Sequence, residues 1–415
     1  MDDLYVVGVS MTRFGPHPED TLDAMVGSVL GDVTADAGAA IEDIDTAYYG
    51  SLTQSMLIGQ GSIGAQVALR PHGISSIPVV NVENACATGS TAFHLAVRDL
   101  MAGATDVALA IGVEKIVATD KVRLAASFEA GLDVMHRDEA VEQVMALSAG
   151  FAHPDMDDGT VPRSIFMDLY GSWARAHMRD FGTTQRQLAA VSSKNHGHSV
   201  QNPLAHFRKP FSIDEVLDAR TICWPLTLPM CAPPSEGAAA VLLCTGDALG
   251  RFDRDRAVAI RASVLGSGSD RDPKDHEEHA TRRIARQAYE SAGIGPEDIA
   301  VAEVHDATAF GEIQQIENLG FCATGGGGGF SESGATAIGG SKPVNPSGGL
   351  ESKGHPLAAT GLGQIHELVT QLRGEAGPRQ VDGARWAIAE NGGGLYGIEE
   401  AAACVSILHR DRPAG

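Results

Sequence analysis

The chain is short of aromatic residues, 5% of 415 positions, and short of basic ones: 31 Lys+Arg stand against 53 Asp+Glu, a formal net charge of −22. A surface that grips nucleic-acid phosphates needs clustered Lys and Arg, so no nucleic-acid partner is expected, and the negative charge reads as a source of solubility. No run of about 18 apolar residues occurs, and no membrane span is expected. The start Met1-Asp2-Asp3 lacks the basic-then-apolar pattern of a secretory signal, so the expected location is the cytoplasm. The six cysteines (86, 223, 231, 244, 322 and 404) include no C-x-x-C pair. That excludes a zinc ribbon within the chain and argues against a disulfide framework; no metal site is expected. Cys244 and Cys404 lie in apolar runs that read as buried strands, while Cys223, Cys231 and Cys322 carry no pattern and read as incidental.

What is abundant is small and apolar. With 49 Gly and a 43% hydrophobic fraction, the composition suits close helix–sheet packing in a globular protein, and 415 residues suffice for two core-forming units. Apolar periodicity and Gly/Pro punctuation predict strand 4–9, helix 20–38, strand 46–52, helix 60–70, strand 79–82, helix 88–102 and strand 106–113. From 118 to 229 the chain is richer in Met, His, Pro and charge, with helical stretches over 138–150, 164–180 and 185–200, before a core strand at Ala238–Cys244. A second run opens with strand Val258–Ala262 and continues to the C-terminus. Gly325–Gly329 has no side chains to order it and is expected to be a flexible loop.

Cys86 is the most informative residue. It follows the predicted strand 79–82 in Asn84-Ala85-Cys86-Ala87-Thr88-Gly89-Ser90 and opens a helix. A thiol at that turn lies against the positive end of the helix, which is expected to lower its pKa, and its small neighbours leave the sulfur approachable. This is the setting of a nucleophile that forms a thioester, set against the alternative of an inert buried cysteine. Far downstream, Asn345-Pro346-Ser347-Gly348-Gly349 leads into Lys353-Gly354-His355-Pro356-Leu357 and then Ala359-Thr360-Gly361. Ala87-Thr88-Gly89 matches Ala359-Thr360-Gly361, Ala37-Gly38 with Glu42-Asp43-Ile44 matches Ala292-Gly293 with Glu297-Asp298-Ile299, and Glu236–Val241 matches Glu400–Val405. Three matches in one order imply a duplicated α/β unit, in which Cys86 and His355 open nearly equivalent helices that can face each other across one pocket.

The Cys86 loop, His305-Asp306-Ala307-Thr308, Asn345-Pro346-Ser347-Gly348-Gly349 and Gly354-His355-Pro356 together resemble the thiolase superfamily over essentially the whole chain. The His-Asp and Ser-Lys-Gly-His-Pro runs look like its sterol-carrier-type and archaeal-type branch. The resemblance implies a thiolase fold: two duplicated βαβαβαββ halves packed as an αβαβα layered core. The N-terminal half would comprise 1–117 plus 230–250, the loop domain 118–229 and the C-terminal half 251–415. It gives His355 the tasks of taking the Cys86 proton and helping bind the thioester oxygen, and gives His305 an oxyanion-hole role. Asp306 is expected to orient its loop, and the backbone N–H groups of Gly393 and Cys86 to form a second oxyanion hole. Coenzyme A would be the co-substrate, with Arg208, Lys209 and Lys353 as candidates for holding it.

The departures matter more than the matches. At the two positions where such enzymes place a second, acid/base cysteine, this chain has Ala307 and Glu390. Either a buried Glu390 with a raised pKa serves, or His305 and His355 move the protons alone, or ordinary thiolysis is not performed. The leading expectation is an acyltransferase that cleaves or forms the C–C bond of a 3-oxoacyl-CoA through acyl-Cys86. It would work as a homodimer or higher oligomer with a small OB-fold, zinc-ribbon partner subunit, as in benzoylsuccinyl-CoA thiolase-like systems. The rivals are acyl transfer without CoA thiolysis, retro-aldol cleavage, or a non-catalytic acyl-CoA-binding scaffold.

Overall fold

The computed structural model describes residues 3–116, 121–153 and 163–411. Positions 1, 2, 117 and 118, on which the reading of the N-terminus as lacking a secretory signal and the start of the loop domain fall, lie outside these. In chain order the first part runs β1 (Leu4–Met11), α1 (Leu22–Ala37), β2 (Thr46–Gly50), α2 (Gly64–Leu69), β3 (Val79–Val82), α3 (Thr88–Met101) and β4 (Val107–Glu114). Then come α4 (Lys121–Glu129), α5 (Arg137–Ala146), α6 (Ile165–Phe181), α7 (Gln185–Ser199), α8 (Ile213–Leu217), β5 (Thr221–Cys223), β6 (Leu226–Thr227) and the core strand β7 (Gly237–Thr245). The remainder is β8 (Val258–Ser267), α9 (Ala280–Ala292), β9 (Val301–Glu303), α10 (Ala309–Asn318), α11 (Gly327–Glu332), α12 (Gly349–Lys353), α13 (Leu357–Arg373), β10 (Trp386–Tyr396) and β11 (Glu399–His409). Among the described residues no helix is long and apolar enough to cross a membrane.

The duplication is visible in the strand order, β3-β2-β4-β7-β1-β8-β11-β10-β9. Read outward from the β1–β8 seam, each half places its first strand inside, then its antiparallel last strand, then parallel strands; Val344, bridged in parallel to Ala302, stands where β3 stands in the other half. The seam itself is three antiparallel pairs, Leu4 with Ile260, Tyr5 with Ala259 and Val6 with Val258. Strand alternation sends Val6, Ala108 and Val241 to one face and Val7, Val107 and Leu242 to the other, so each half-sheet is apolar on both sides. The outer faces are covered by α1 on one half and α9 on the other, and α3 and α13 fill the space between the half-sheets, giving the αβαβα layers of the thiolase fold. The repeated Ala-Gly pairs have a local cause: α1 and α9 end on Gly38 and Gly293, each in the left-handed region (φ 66° and 71°) that favours glycine.

Close approach of α3 and α13 builds the site. A Cβ on Gly89 would lie 2.4 Å from the Ala358 carbonyl oxygen, and one on Gly361 would lie 2.7 Å from the Ser90 nitrogen. The two Ala-Thr-Gly copies therefore supply the glycines at which the central helices cross, and the turns that precede them meet.

Gly325–Gly329 is not the loop the sequence predicts. Gly327 begins α11, and the Glu317 carboxylate accepts from the Gly325 and Gly327 N–H groups at 2.9 and 2.8 Å. A Cβ on Gly327 would meet the Ile313 carbonyl at 2.8 Å and one on Gly325 the Phe181 ring at 2.4 Å. These glycines are there because the segment is tightly packed.

Candidate active site

Cys86 sits in a one-turn helix over Ala85–Ala87, entered through Ala85 at φ 50°, a left-handed conformation that costs a residue with a Cβ about 1–3 kcal/mol. Pro356 leads His355 into α13, and His305 follows β9. Ligating atoms of Cys86, His305 and His355 all lie within 4.8 Å of one another, and the two imidazole rings meet edge to face at 5.1 Å and 83°. The structure thus brings together the three residues the sequence singles out from three distant segments.

Hydrogen bonds assign the two imidazoles opposite roles. The Thr360 hydroxyl donates to the Pro356 carbonyl at 3.0 Å, so at its 2.8 Å contact with His355 it accepts from Nδ1–H. That leaves His355 Nε2 with a lone pair. At His305 the reverse holds: Asn391 Nδ2 donates to Nδ1 at 2.9 Å, so Nε2 carries the hydrogen. One ring can accept a proton and the other can donate a hydrogen bond. Burial keeps both neutral, pulling His305 down to about 4 and His355 well below its ordinary value.

The Cys86 thiol departs from expectation. Burial, followed by the Glu114 carboxylate, pushes it up to about 12, and the Gly394 backbone N–H only partly offsets this. Desolvation of a thiolate outweighs the helix terminus here, so the resting residue is a thiol whose proton must leave during attack. Gly393 packs against the nucleophile loop, where a Cβ would lie 2.3 Å from the Asn84 carbonyl oxygen. Asp306 orients its loop as expected, its carboxylate accepting from Leu350 N–H at 2.7 Å and from Asn195 at 3.1 Å.

Glu390 does not reach the pocket. It is fully buried; Oε2 accepts from the His305 backbone N–H at 2.9 Å, and it is absent from the cavity wall. Burial, then the charge of Glu400, pushes its carboxyl well above the usual range, and its one hydrogen bond supports the His305 segment. Lys353 is likewise misplaced as a coenzyme ligand: its Nζ is paired with Glu303 at 3.0 Å, and both side chains are almost wholly buried. A phosphate cannot reach it. Arg208 and Lys209 are exposed, Arg208 bound to the Val200 carbonyl and Lys209 lying 4.9 Å over the Phe211 ring.

Cys86, His305 and His355 open into a cavity of about 530 Å³ whose wall includes Phe128, Phe166, Tyr170, Trp173, Phe207 and Phe211. These six of the chain's 21 aromatic residues all come from the segment between β4 and β7. Cys231, Glu351 and Glu400 also line it; the sequence offers no signal for Tyr170, Glu351 or Glu400 as site residues. Cys231, expected to be incidental, forms an antiparallel bridge with Thr308, while Ala232 N–H donates to the Ala307 carbonyl at 3.0 Å. Cys322, by contrast, packs in the outer core under α9, in keeping with its incidental reading.

The chain matches the family model described as Thiolase, N-terminal domain, over residues 4–222, and Thiolase C-terminal domain-like over 267–410. It is 37% identical over 400 residues to the acetyl-CoA acetyltransferase of Methanothermobacter thermautotrophicus, covering 96% of this chain and 98% of that protein. It is 35% identical over 403 residues to sterol carrier protein 2 of Oryctolagus cuniculus, covering 94% and 69% respectively. It is 34% identical over 385 residues to the benzoylsuccinyl-CoA thiolase subunit BbsB of Thauera aromatica, covering 91% of each. Among solved structures, the Ltp2-ChsH2(DUF35) aldolase shares the fold with a TM-score of 0.75 at 20% identity, over 100% of this chain and 99% of that one. The chain belongs to the thiolase family of acyltransferases.

Proposed function

We propose that the protein transfers acyl groups between coenzyme A and Cys86, and that it cleaves or forms the carbon–carbon bond of a 3-oxoacyl-CoA by that route. The observation that carries this reading is the proximity of the Cys86, His305 and His355 donor atoms, within 4.8 Å, at the wall of a cavity of about 530 Å³. In the cleavage direction His355 Nε2 takes the thiol proton as the sulfur attacks the 3-oxo carbon. His305 Nε2–H then donates to the oxygen that becomes negative, and collapse breaks the C2–C3 bond. Coenzyme A thiol next attacks the acyl-Cys86 thioester and frees the enzyme. The cavity is far larger than an acetyl group needs, and its aromatic wall favours a bulky apolar acyl chain. Arg208 and Lys209, exposed beside the cavity residues Phe207 and Phe211, are the cations we assign to the coenzyme's phosphates.

Two association proposals accompany this. β3 is the last strand on its edge of the sheet, and Ile63, Val67 and Val80 around it are 61%, 47% and 40% exposed, which supports a homodimer along that edge. The relative from Thauera aromatica is named as a subunit, which supports a small partner protein. The deciding experiment for the reaction supplies acetoacetyl-, 3-oxooctanoyl- and benzoylacetyl-CoA with free coenzyme A and measures loss of the 3-oxo thioester. Cleavage of at least one, abolished in Cys86→Ala, is expected; cleavage that persists in the variant would dismiss the acyl-enzyme route.

A further inference from the structure

Carbon–carbon cleavage needs a proton delivered to the α-carbon, and this inference rests on the reaction proposed above. Most polar groups on the cavity wall are already engaged. His196 is hydrogen-bonded through both ring nitrogens, to Ser352 and the Pro229 carbonyl, and Arg163 is paired with Asp168 at 2.7 Å. The Cys231 thiol points to the Thr227 carbonyl at 3.5 Å, and Glu351 and Glu400 are each held through one oxygen, by Asn195 at 3.2 Å and Gln315 at 2.8 Å, the other oxygen of each having no hydrogen-bond partner among the described residues. Tyr170 differs. It is half-buried on the same wall, and among the described residues nothing hydrogen-bonds its hydroxyl.

Its position is fixed. The ring packs edge-on to Trp173, with centroids 5.1 Å apart at 84°, and lies against Gly311, where a Cβ would sit 3.5 Å from the ring edge. Gly311 belongs to the first turn of α10, just after the His305–Thr308 loop, whose Ala307 lines the same cavity. Tyr170 shares the cavity wall with Cys86, His305 and Glu400.

We infer that Tyr170 is the acid and base of the α-carbon step, filling the place left by the thiols absent at positions 307 and 390. As the C2–C3 bond breaks, its electron pair passes to the α-carbon as an enolate, which takes the Tyr170 hydroxyl proton and departs as the two-carbon thioester that carries the original coenzyme A, leaving the shortened acyl group on Cys86. The phenolate then takes the proton of the incoming coenzyme A thiol, whose sulfur attacks the acyl-Cys86 carbonyl and expels the Cys86 sulfur. His355 returns its proton to that sulfur, and no oxidant or further reactant is consumed. Burial and the surrounding carboxylates hold the Tyr170 pKa well above its ordinary value. A phenolate so disfavoured is a strong base toward a thiol, while an enolate is still basic enough to deprotonate the phenol.

The test separates two half-reactions in wild type and Tyr170→Phe. Exchange of labelled coenzyme A into acetyl-, octanoyl- or benzoyl-CoA has no α-carbon step and runs on His355 alone, which passes the Cys86 proton to the departing coenzyme thiolate and takes one from the incoming thiol while Tyr170 stays a phenol, whereas cleavage of the matching 3-oxoacyl-CoA also needs the α-carbon proton. Tyr170→Phe is expected to lower cleavage at least about 10²-fold while exchange stays near the wild-type rate. An equal fall in both would mean that Tyr170 only shapes the pocket, and unchanged cleavage would give the proton to His355; either overturns the assignment. Wild-type protein that neither exchanges nor cleaves would instead remove the proposed reaction, and this step with it.

Discussion

Replacing Thr360 by valine should slow acylation of Cys86 and leave the fold in place. Thr360 is fully buried, and its hydroxyl is the acceptor that keeps the His355 hydrogen on Nδ1. Valine keeps the shape and removes that acceptor, while the Pro356 carbonyl retains the Ala359 N–H at 2.8 Å, so the loss falls on the imidazole. A buried N–H without a partner costs about 1–3 kcal/mol. The ring escapes that cost by moving its hydrogen to Nε2, where it can no longer accept the thiol proton. With each ~1.4 kcal/mol equal to a factor of about ten, acylation should slow by about 5- to 150-fold. Single-turnover formation of acyl-Cys86 from acetyl-CoA, followed by quench and intact mass, reads this directly, and Thr360→Ser should restore most of the rate. Equal rates in Thr360→Val and wild type would refute the tautomer assignment, as would equal slowing in the serine variant.

Three further outcomes follow from the same structure. Lys353→Met leaves the Glu303 carboxylate buried without its partner, so it should cost about 3–5 kcal/mol in urea unfolding, with coenzyme affinity per folded molecule unaltered. Gly327→Ala should destabilise by about 1–3 kcal/mol, because its Cβ would overlap the Ile313 carbonyl; a neutral result would reinstate a loose loop there. His198, with Nδ1–H bonded to the Asn345 carbonyl and Nε2 accepting from Ile338 N–H, is pulled by burial down to about 3. Unfolded, it binds a proton below about 6.5 that the folded protein refuses, so its contribution is whole above that pH and lost as pH falls toward 3. Stability of His198→Gln between pH 6.5 and 4.5 should therefore decline less steeply than wild type, by about 1.4 kcal/mol per pH unit, in denaturant titrations.

The sequence is most informative where function and packing demand one residue type. Cys86, His305 and His355 are legible because short motifs surround them, and the repeated Ala-Thr-Gly is legible because only glycine allows α3 and α13 to touch. Strand and helix positions fall close to their predicted places because each half alternates apolar runs with clear Gly/Pro breaks. Reading fails where meaning depends on a distant partner. Lys353 looks like a free cation beside a catalytic histidine, and only the fold brings Glu303 to it. Glu390 sits at a suggestive place in its loop, yet strand alternation turns its carboxyl to the His305 backbone, away from the cavity. Gly325–Gly329 reads as slack because the residues packed against it, Phe181, Ile313 and Glu317, come from other segments. Tyr170 and Cys231 carry no local pattern; the path of the chain between β4 and β7 alone puts them on the wall of the cavity that Cys86 lines.

The central claim, an acyl group carried on Cys86, is tested most directly by intact-mass measurement after mixing the protein with acetyl-, octanoyl- or benzoyl-CoA. At least one should add a single acyl mass that peptide mapping places on Cys86, that free coenzyme A removes, and that Cys86→Ala cannot form. A protein that gains no acyl mass from any of them, or an adduct that survives in Cys86→Ala, would contradict it.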